Sequence, residues 1–272
     1  MNLDKILIEP KHKVNTNTEE QEKMYTIQEE SIIINKSKRE YELKYIDIGQ
    51  SLRKSYLDKL KNRNVWTDDK PKSHNSLIIF DWDDTLLCSS YLTPYGIFKD
   101  DMIISEKDLN KLAFLDEIVY KILSFAIENS STYIITNAAP GWVEYSSQRF
   151  YPKSKEILKK VVIVSARGKY EKKYPGDSKQ WKVQAFLETC KNFNLNLVTN
   201  LICLGDSVIE MEAAHILASK FSKAFIKTVK FKEAPKPEEL IKQLSTVLDQ
   251  LSTIFSTVKN LTIRVERKKK SK

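Results

Sequence analysis

Ser76-Leu77-Ile78-Ile79-Phe80-Asp81-Trp82-Asp83-Asp84-Thr85-Leu86-Leu87 is the stretch from which the architecture can be read. Four consecutive apolar residues, Leu77 to Phe80, suit a strand buried on both faces, as in the interior of a parallel sheet. The run stops at Asp81, Asp83 and Asp84, so charge collects at the carboxyl end of the strand. Ligands bind at that end in open α/β sheets. Alternation along an extended chain puts Asp81 and Asp83 on one side, where two carboxylates repel unless a cation or a shared proton relieves them. A polar turn after a core strand is the ordinary alternative for these residues taken alone.

The same pattern recurs downstream. Thr132 to Ile135 reads as a second strand, ending on Thr136-Asn137, and Val161 to Val164 as a third. Leu201 to Leu204 is a fourth, running into Gly205-Asp206-Ser207; a fifth lies near Ala224 to Phe231, and a last one fits Leu261 to Val265. Between them lie helical patterns. Ser105 and Asp108 form a start signal before Leu112, Leu115, Val119, Ile122 and Ala126 at helical spacing. Further helices are expected from about 141 to 150 and from 154 to 160. Others should carry Lys179, Trp181, Lys182, Phe186 and Leu187, then Glu210. A long amphipathic helix follows Pro235 and Pro237 and ends near Val258. Strands alternating with helices predict an α/β fold, a Rossmann-like parallel sheet with helices on both faces.

Residues 1–75 read as a small, partly ordered N-terminal extension. Short strands fit Ser31 to Asn35 and Glu40 to Ile48, a hairpin could run through residues 36–39, Ser51 could cap a helix, and Trp66 to Asn75 resembles a linker. The α/β core is placed at 76–263 and a basic tail at 264–272.

The 272 residues allow one sizeable core with extensions, and 41% hydrophobic with 30% charged residues is ordinary for a globular protein. No apolar run is long enough to suggest a membrane span, and the first residues lack the apolar segment of a signal peptide, so an intracellular location, cytoplasmic or nuclear, is expected. Cys88, Cys190 and Cys203 lack metal-type spacing, and three cysteines make a disulfide framework improbable. With His12, His74 and His215 the only histidines, a histidine-rich zinc site or a Ser-His-Asp triad is disfavoured. The net charge of +9 is concentrated at the end of the chain, where Arg264, Arg267, Lys268, Lys269, Lys270 and Lys272 stand against Glu266. A solvated terminus explains that run as well as a nuclear signal or an acidic partner does. Nucleic acid would enter only through this tail, since no aromatic-basic interleaving accompanies it.

Three strand ends in order, Asp81-x-Asp83-x-Thr85, Thr136-Asn137 and Gly205-Asp206-Ser207-Val208-Ile209-Glu210, with a lysine-bearing helix before the last, resemble the motifs of the haloacid dehalogenase superfamily. The resemblance runs from about Leu77 to Phe231 and implies a HAD-like core and a phosphatase. By it, Asp81 is the nucleophile that forms an aspartyl phosphate, and Asp83 is the general acid and then base. Lys182 would neutralise the phosphoryl group and Asp81; its Trp-Lys context favours it over Lys179. Thr136, with Asn137 beside it, would bind the phosphorylated substrate. Mg²⁺ is the expected cofactor, held by Asp81, a main-chain carbonyl at Asp83, and Asp206. Glu210 stands where many members carry a second aspartate and would reach the metal or a metal-bound water. Each residue also has a structural alternative: a helix cap for Asp206, a strand position for Thr136, a solvated surface for Lys182 and Glu210.

The segments Thr85 to Thr136 and Thr136 to Lys182 leave no room for a large cap domain. An open site for a bulky or macromolecular phosphoester, a protein among the candidates, is therefore expected, with Tyr91, Tyr95 and Phe98 as rim candidates. The competing expectation is a HAD-like binding or scaffold protein of weak catalytic power. Oligomeric state is not legible.

Overall fold

The computed structural model describes residues 40–46, 75–96, 103–193 and 197–268. Seven strands form one sheet in the order β1-β7-β6-β5-β2-β3-β4, where β1 is Tyr41–Tyr45, β2 Asn75–Phe80, β3 Ser131–Thr136, β4 Val162–Ser165, β5 Val198–Gly205, β6 Phe225–Lys230 and β7 Leu261–Arg267. Every pairing is parallel except that of β1 with β7. The fold is α/β and Rossmann-like.

Leu77, Ile78, Ile79 and Phe80 are each fully buried because β2 is central and covered on both faces. Alternation sends Ile78 and Phe80 into a core with α2 (Glu106–Asn129) and α8 (Pro237–Ser256), through Leu115, Val119, Leu244 and Val247. Leu77 and Ile79 pack on the opposite side, against Trp181 and Phe186 of α6 (Ser178–Thr189) and Ala214 and Leu217 of α7 (Val208–Ala218). The short helices are α1 (Ser89–Leu92), α4 (Ser154–Leu158) and α5 (Ala166–Tyr170), and α3 spans Trp142–Phe150.

Helix starts follow their local chemistry. The Ser105 hydroxyl accepts the Asp108 amide at 3.1 Å, satisfying a donor that the first turn leaves without a partner. Ser207 caps α7 by accepting the Ile209 amide at 3.0 Å, and Glu210 answers by accepting the Ser207 amide at 3.1 Å. Pro237 begins α8, where the missing N–H costs nothing.

The chain runs from β2 outward through β3 to β4, then returns to the other side of β2 for β5 and β6. This reversal leaves a crevice between the carboxyl ends of β2 and β5. Asp81 follows β2 and Asp206 follows β5, so both stand at its mouth.

Two details differ from the sequence-based expectation. The stretch expected as a basic tail from 264 begins inside β7, which reaches Arg267 and pairs with β6 on one side and β1 on the other. Alternation explains it: Leu261, Ile263 and Val265 are buried while Arg264 and Arg267 are exposed. The irregular stretch after the acidic tip contains α1 and a 3₁₀ turn, Thr93–Tyr95. The expected strand at 31–35, the helix after Ser51, the linker up to His74, Phe98 and the chain beyond Lys268 lie outside the described residues.

Candidate active site

Asp81 leaves β2 still tied to its neighbour, its amide donating to Leu204 O at 2.9 Å. The chain then turns. Leu86 and Leu87 amides return to Trp82 O, and the Asp84 amide donates to Leu87 O, with Asp84 at φ +56°. An aspartate tolerates that left-handed conformation better than most residues. Asp84 is buried, and its carboxylate accepts both the amide and the hydroxyl of Ser90. The loop is further pinned by the Trp82 indole N–H on Ser146 Oγ at 3.0 Å and by the Tyr151 hydroxyl on Leu86 O at 2.7 Å. Five carboxylates, Asp81, Asp83, Asp84, Asp206 and Glu210, thus gather at one end of the sheet.

The cation that meets them is Lys182. Its side chain is 1% exposed, and its Nζ donates to Asp81 Oδ1 at 2.5 Å and to Ile135 O at 2.7 Å, and pairs with Glu210 Oε1 at 3.1 Å. Lys179 points elsewhere, to Glu212 on the surface.

One ammonium therefore serves two buried carboxylates. Burial disfavours the charge on Lys182, but the fields of Asp81 and Glu210 outweigh it and raise its proton affinity. For Glu210, burial pushes the carboxyl up, while the Lys182 ammonium and the Ser207 hydrogen bond together hold it below its usual range. Asp81 is the member whose carboxyl rises well above the ordinary value: burial dominates, Lys182 opposes it, and Glu210 and Asp83 add to it.

Asp83 is oriented by two donors. Thr136 Oγ1 reaches its Oδ2 at 2.9 Å and the Trp142 indole Nε1 reaches its Oδ1 at 2.8 Å. The Thr136 hydroxyl, expected on a substrate phosphate, is directed to Asp83 instead, and its oxygen accepts the Ala138 amide at 2.9 Å. Asn137 donates to Ser178 O at 3.1 Å, tying the end of β3 to the start of α6, while its Oδ1 is buried without a hydrogen-bond partner.

Asp206 is half-buried, and burial, with the carboxylates of Glu210 and Asp84 adding to it, pushes its carboxyl up to about 7. Its main-chain carbonyl accepts Lys230 Nζ at 2.7 Å. Glu210, expected on the metal or on a metal-bound water, has one oxygen on Lys182 and the other on the Ser207 amide. Its place depends on Gly205, where a Cβ would lie 2.8 Å from both Cβ and Cγ of Glu210.

Among the described residues, no three His, Cys, Asp or Glu side chains converge as a metal-ligand set. The donor set expected for Mg²⁺ combines the Asp81 and Asp206 carboxylates and a main-chain carbonyl at Asp83, with Glu210 reaching the metal or a metal-bound water. The excess of carboxylates over the Lys182 ammonium at this end of the sheet, and the raised proton affinity of Asp206, fit a hard cation with oxygen ligands.

Trp142, Gly205 and Lys230 were not singled out from the sequence as site residues. For Glu210 a local signal was present: Ser207-x-x-Glu210 is a capping-box pattern, which sends the carboxylate back over the helix start.

No family model matches the chain, and no curated protein matches it. Two crystal structures of the Legionella pneumophila effector Ceg4 are similar to it. One carries an N-terminal yeast Hog1p sequence and has a TM-score of 0.41 at 13% identity, covering 68% of this chain and 98% of that one. The other, with an N-terminal TEV protease cleavage sequence, has a TM-score of 0.40 at 13% identity and covers 71% of this chain and 99% of that one. No helix among the described residues is long and apolar enough to cross a membrane.

Proposed function

We propose that this chain is a Mg²⁺-dependent phosphomonoester hydrolase of the haloacid dehalogenase type, acting through an aspartyl phosphate at Asp81. The observation that carries the reading is the buried Lys182 ammonium held on Asp81 at the carboxyl end of the central strand. A lysine without a chemical task is rarely drawn into a core against two carboxylates, because desolvating the three charges is expensive.

In this reading a carboxylate oxygen of Asp81 attacks phosphorus and the ester P–O bond breaks, its oxygen taking a proton from Asp83. Water then attacks the phosphorus of the acyl phosphate, Asp83 takes the proton back, and Asp81 is released with inorganic phosphate. Lys182 holds Asp81 in place and offers positive charge to the transferring group. Thr136 and Trp142 fix the plane of the Asp83 carboxyl. Asp81, Asp206 and the main-chain carbonyl of Asp83 would hold Mg²⁺, which when bound supplies positive charge to the phosphoryl oxygens.

The described parts of Thr85 to Lys182 form core helices and strands with no separate folded unit among them, which supports an open site and a bulky or macromolecular phosphoester. The test is hydrolysis of an aryl phosphate by the purified chain with and without Mg²⁺. Turnover that a chelator abolishes, and that Asp81→Asn lacks while its circular dichroism matches wild type, supports the reading. Absence of turnover on any phosphomonoester overturns it.

A further inference from the structure

Three cations stand side by side on the sheet next to the site. Lys230 of β6 is in register with Arg264 of β7, and Arg264 with Lys44 of β1. Directly opposed like charges destabilise a sheet, so this row has a cost that the fold alone does not explain. Two of the three are partly relieved, Lys230 by Glu233 at 3.0 Å and Lys44 by Glu266 at 3.3 Å. Both pairs have exposed members and are weak on that account. Arg264 is exposed and has no ion-pair partner among the described residues.

The row borders a groove of about 500 Å³ at the carboxyl edge of the sheet. Lys230, Lys232, Arg264 and Arg267 line it against Glu239 and Glu266. Glu239 is already neutralised, its two oxygens accepting Lys232 Nζ at 2.6 and 2.7 Å. Lys230 ties the groove to the candidate active site, its ammonium donating to the main-chain carbonyl of Asp206 at 2.7 Å.

We infer that this groove, lined by Arg264, binds an acidic side chain of a phosphorylated polypeptide while the phosphoresidue sits at Asp81. The inference rests on the phosphatase reading and names its substrate class. The spacing argues for a peptide. β7 is three strands from β2, about 14 Å at the usual strand separation of about 4.8 Å, and an extended peptide covers that in about four residues. A small monoester cannot bridge it. Nucleic acid fits less well: Tyr41 and Phe231 in the lining are buried and cannot serve as stacking platforms.

The experiment uses two dye-labelled phosphopeptides, identical except for glutamate or glutamine four residues to each side of the phosphoresidue. Binding is read by anisotropy, which needs no turnover, and kcat/KM is measured in parallel with an aryl phosphate as control. The wild type should prefer the glutamate peptide about fivefold, and Arg264→Glu should reverse the preference. The same variant should raise the thermal midpoint, because it breaks up the row of like charges. Equal binding of the two peptides by wild type, or an unchanged preference in Arg264→Glu, overturns the inference. So does tighter binding of a 5′-phosphorylated oligothymidylate that Arg264→Glu abolishes, which would assign the groove to nucleic acid. If the groove prefers the acidic peptide but no phosphomonoester is hydrolysed, the catalytic reading fails and the acidic-peptide site stands.

Discussion

Lys182 Nζ lies 2.5 Å from Asp81 Oδ1 although 101 positions separate the two residues in the chain, and both are buried. The contact joins α6 to the tip of β2 and brings a positive charge to the point where two neighbouring strands end. Removing the lysine leaves Asp81 and Glu210 facing each other out of water. Lys182→Met should therefore abolish turnover and destabilise the fold by roughly 3–5 kcal/mol, read from the denaturant midpoint. Adding Glu210→Gln to that variant should recover part of the stability and none of the activity. Equal stability of Lys182→Met and wild type would contradict this account of the ion pair.

In the phosphatase reading, Trp142 would act through Asp83, to which its indole N–H donates. Trp142→Phe keeps most of the ring and removes the indole N–H, which donates to Asp83 Oδ1 at 2.8 Å. The expected loss in kcat is about tenfold, the order of a hydrogen bond to a charged group. It should grow as the leaving group becomes poorer, because protonation of the leaving oxygen then matters more. Asp83→Asn should show the same trend more strongly. A uniform loss across aryl phosphates of differing leaving-group pKa would point to a structural role alone.

Gly205 is needed for space. A methyl group there would meet the Glu210 side chain at 2.8 Å, so Gly205→Ala must shift either β5 or the capping carboxylate. We expect a destabilisation of roughly 1–3 kcal/mol together with reduced activity, measured by chemical denaturation and aryl phosphate hydrolysis. Gly141→Ala is the comparison, since nothing lies within 4 Å of its added carbon and only its φ of +83° is strained.

Lys227 sets an alkaline stability trend. It is 1% exposed, its Nζ donates to Phe255 O at 2.7 Å, and burial holds its amine down to about 8. Between about pH 8 and about pH 10.4, the ordinary lysine value, the unfolded chain binds the extra proton, so stability rises with pH across that window and is lowest below it. Lys227→Met should remove the trend and stabilise the protein at pH 7 by roughly 1–4 kcal/mol. Phe255 O would keep a donor in Asn200 Nδ2 at 3.2 Å. Thermal midpoints of both proteins at pH 7 and pH 10 test this.

The parts of the molecule legible in the sequence are those encoded locally. The apolar runs of β2, β3 and β5 and the polar residues that end them placed Asp81, Asp83, Thr136 and Asp206 at strand tips, and the Trp181-Lys182 context favoured Lys182 over Lys179. Contacts made across the chain left no such trace. Trp142 reaches Asp83 from a helix 59 positions away, and nothing in its own neighbourhood marks it. The pairing of β1 with β7 brings the first and last strands of the chain together at one edge of the sheet, and the strand character of Arg264 to Arg267 was masked by the charge run that begins there. Glu210 was recognised as a site residue, but its partners follow from a capping box and from the burial of Lys182, which only the packed structure supplies.

The most direct test of the central claim is rapid acid quenching of wild-type protein during turnover of a phosphomonoester, followed by mass spectrometry of its peptides. A phosphate adduct on the peptide containing Asp81, absent from Asp81→Asn together with all turnover, is the predicted result. Full activity in Asp81→Asn, or an adduct confined to another residue, would contradict it.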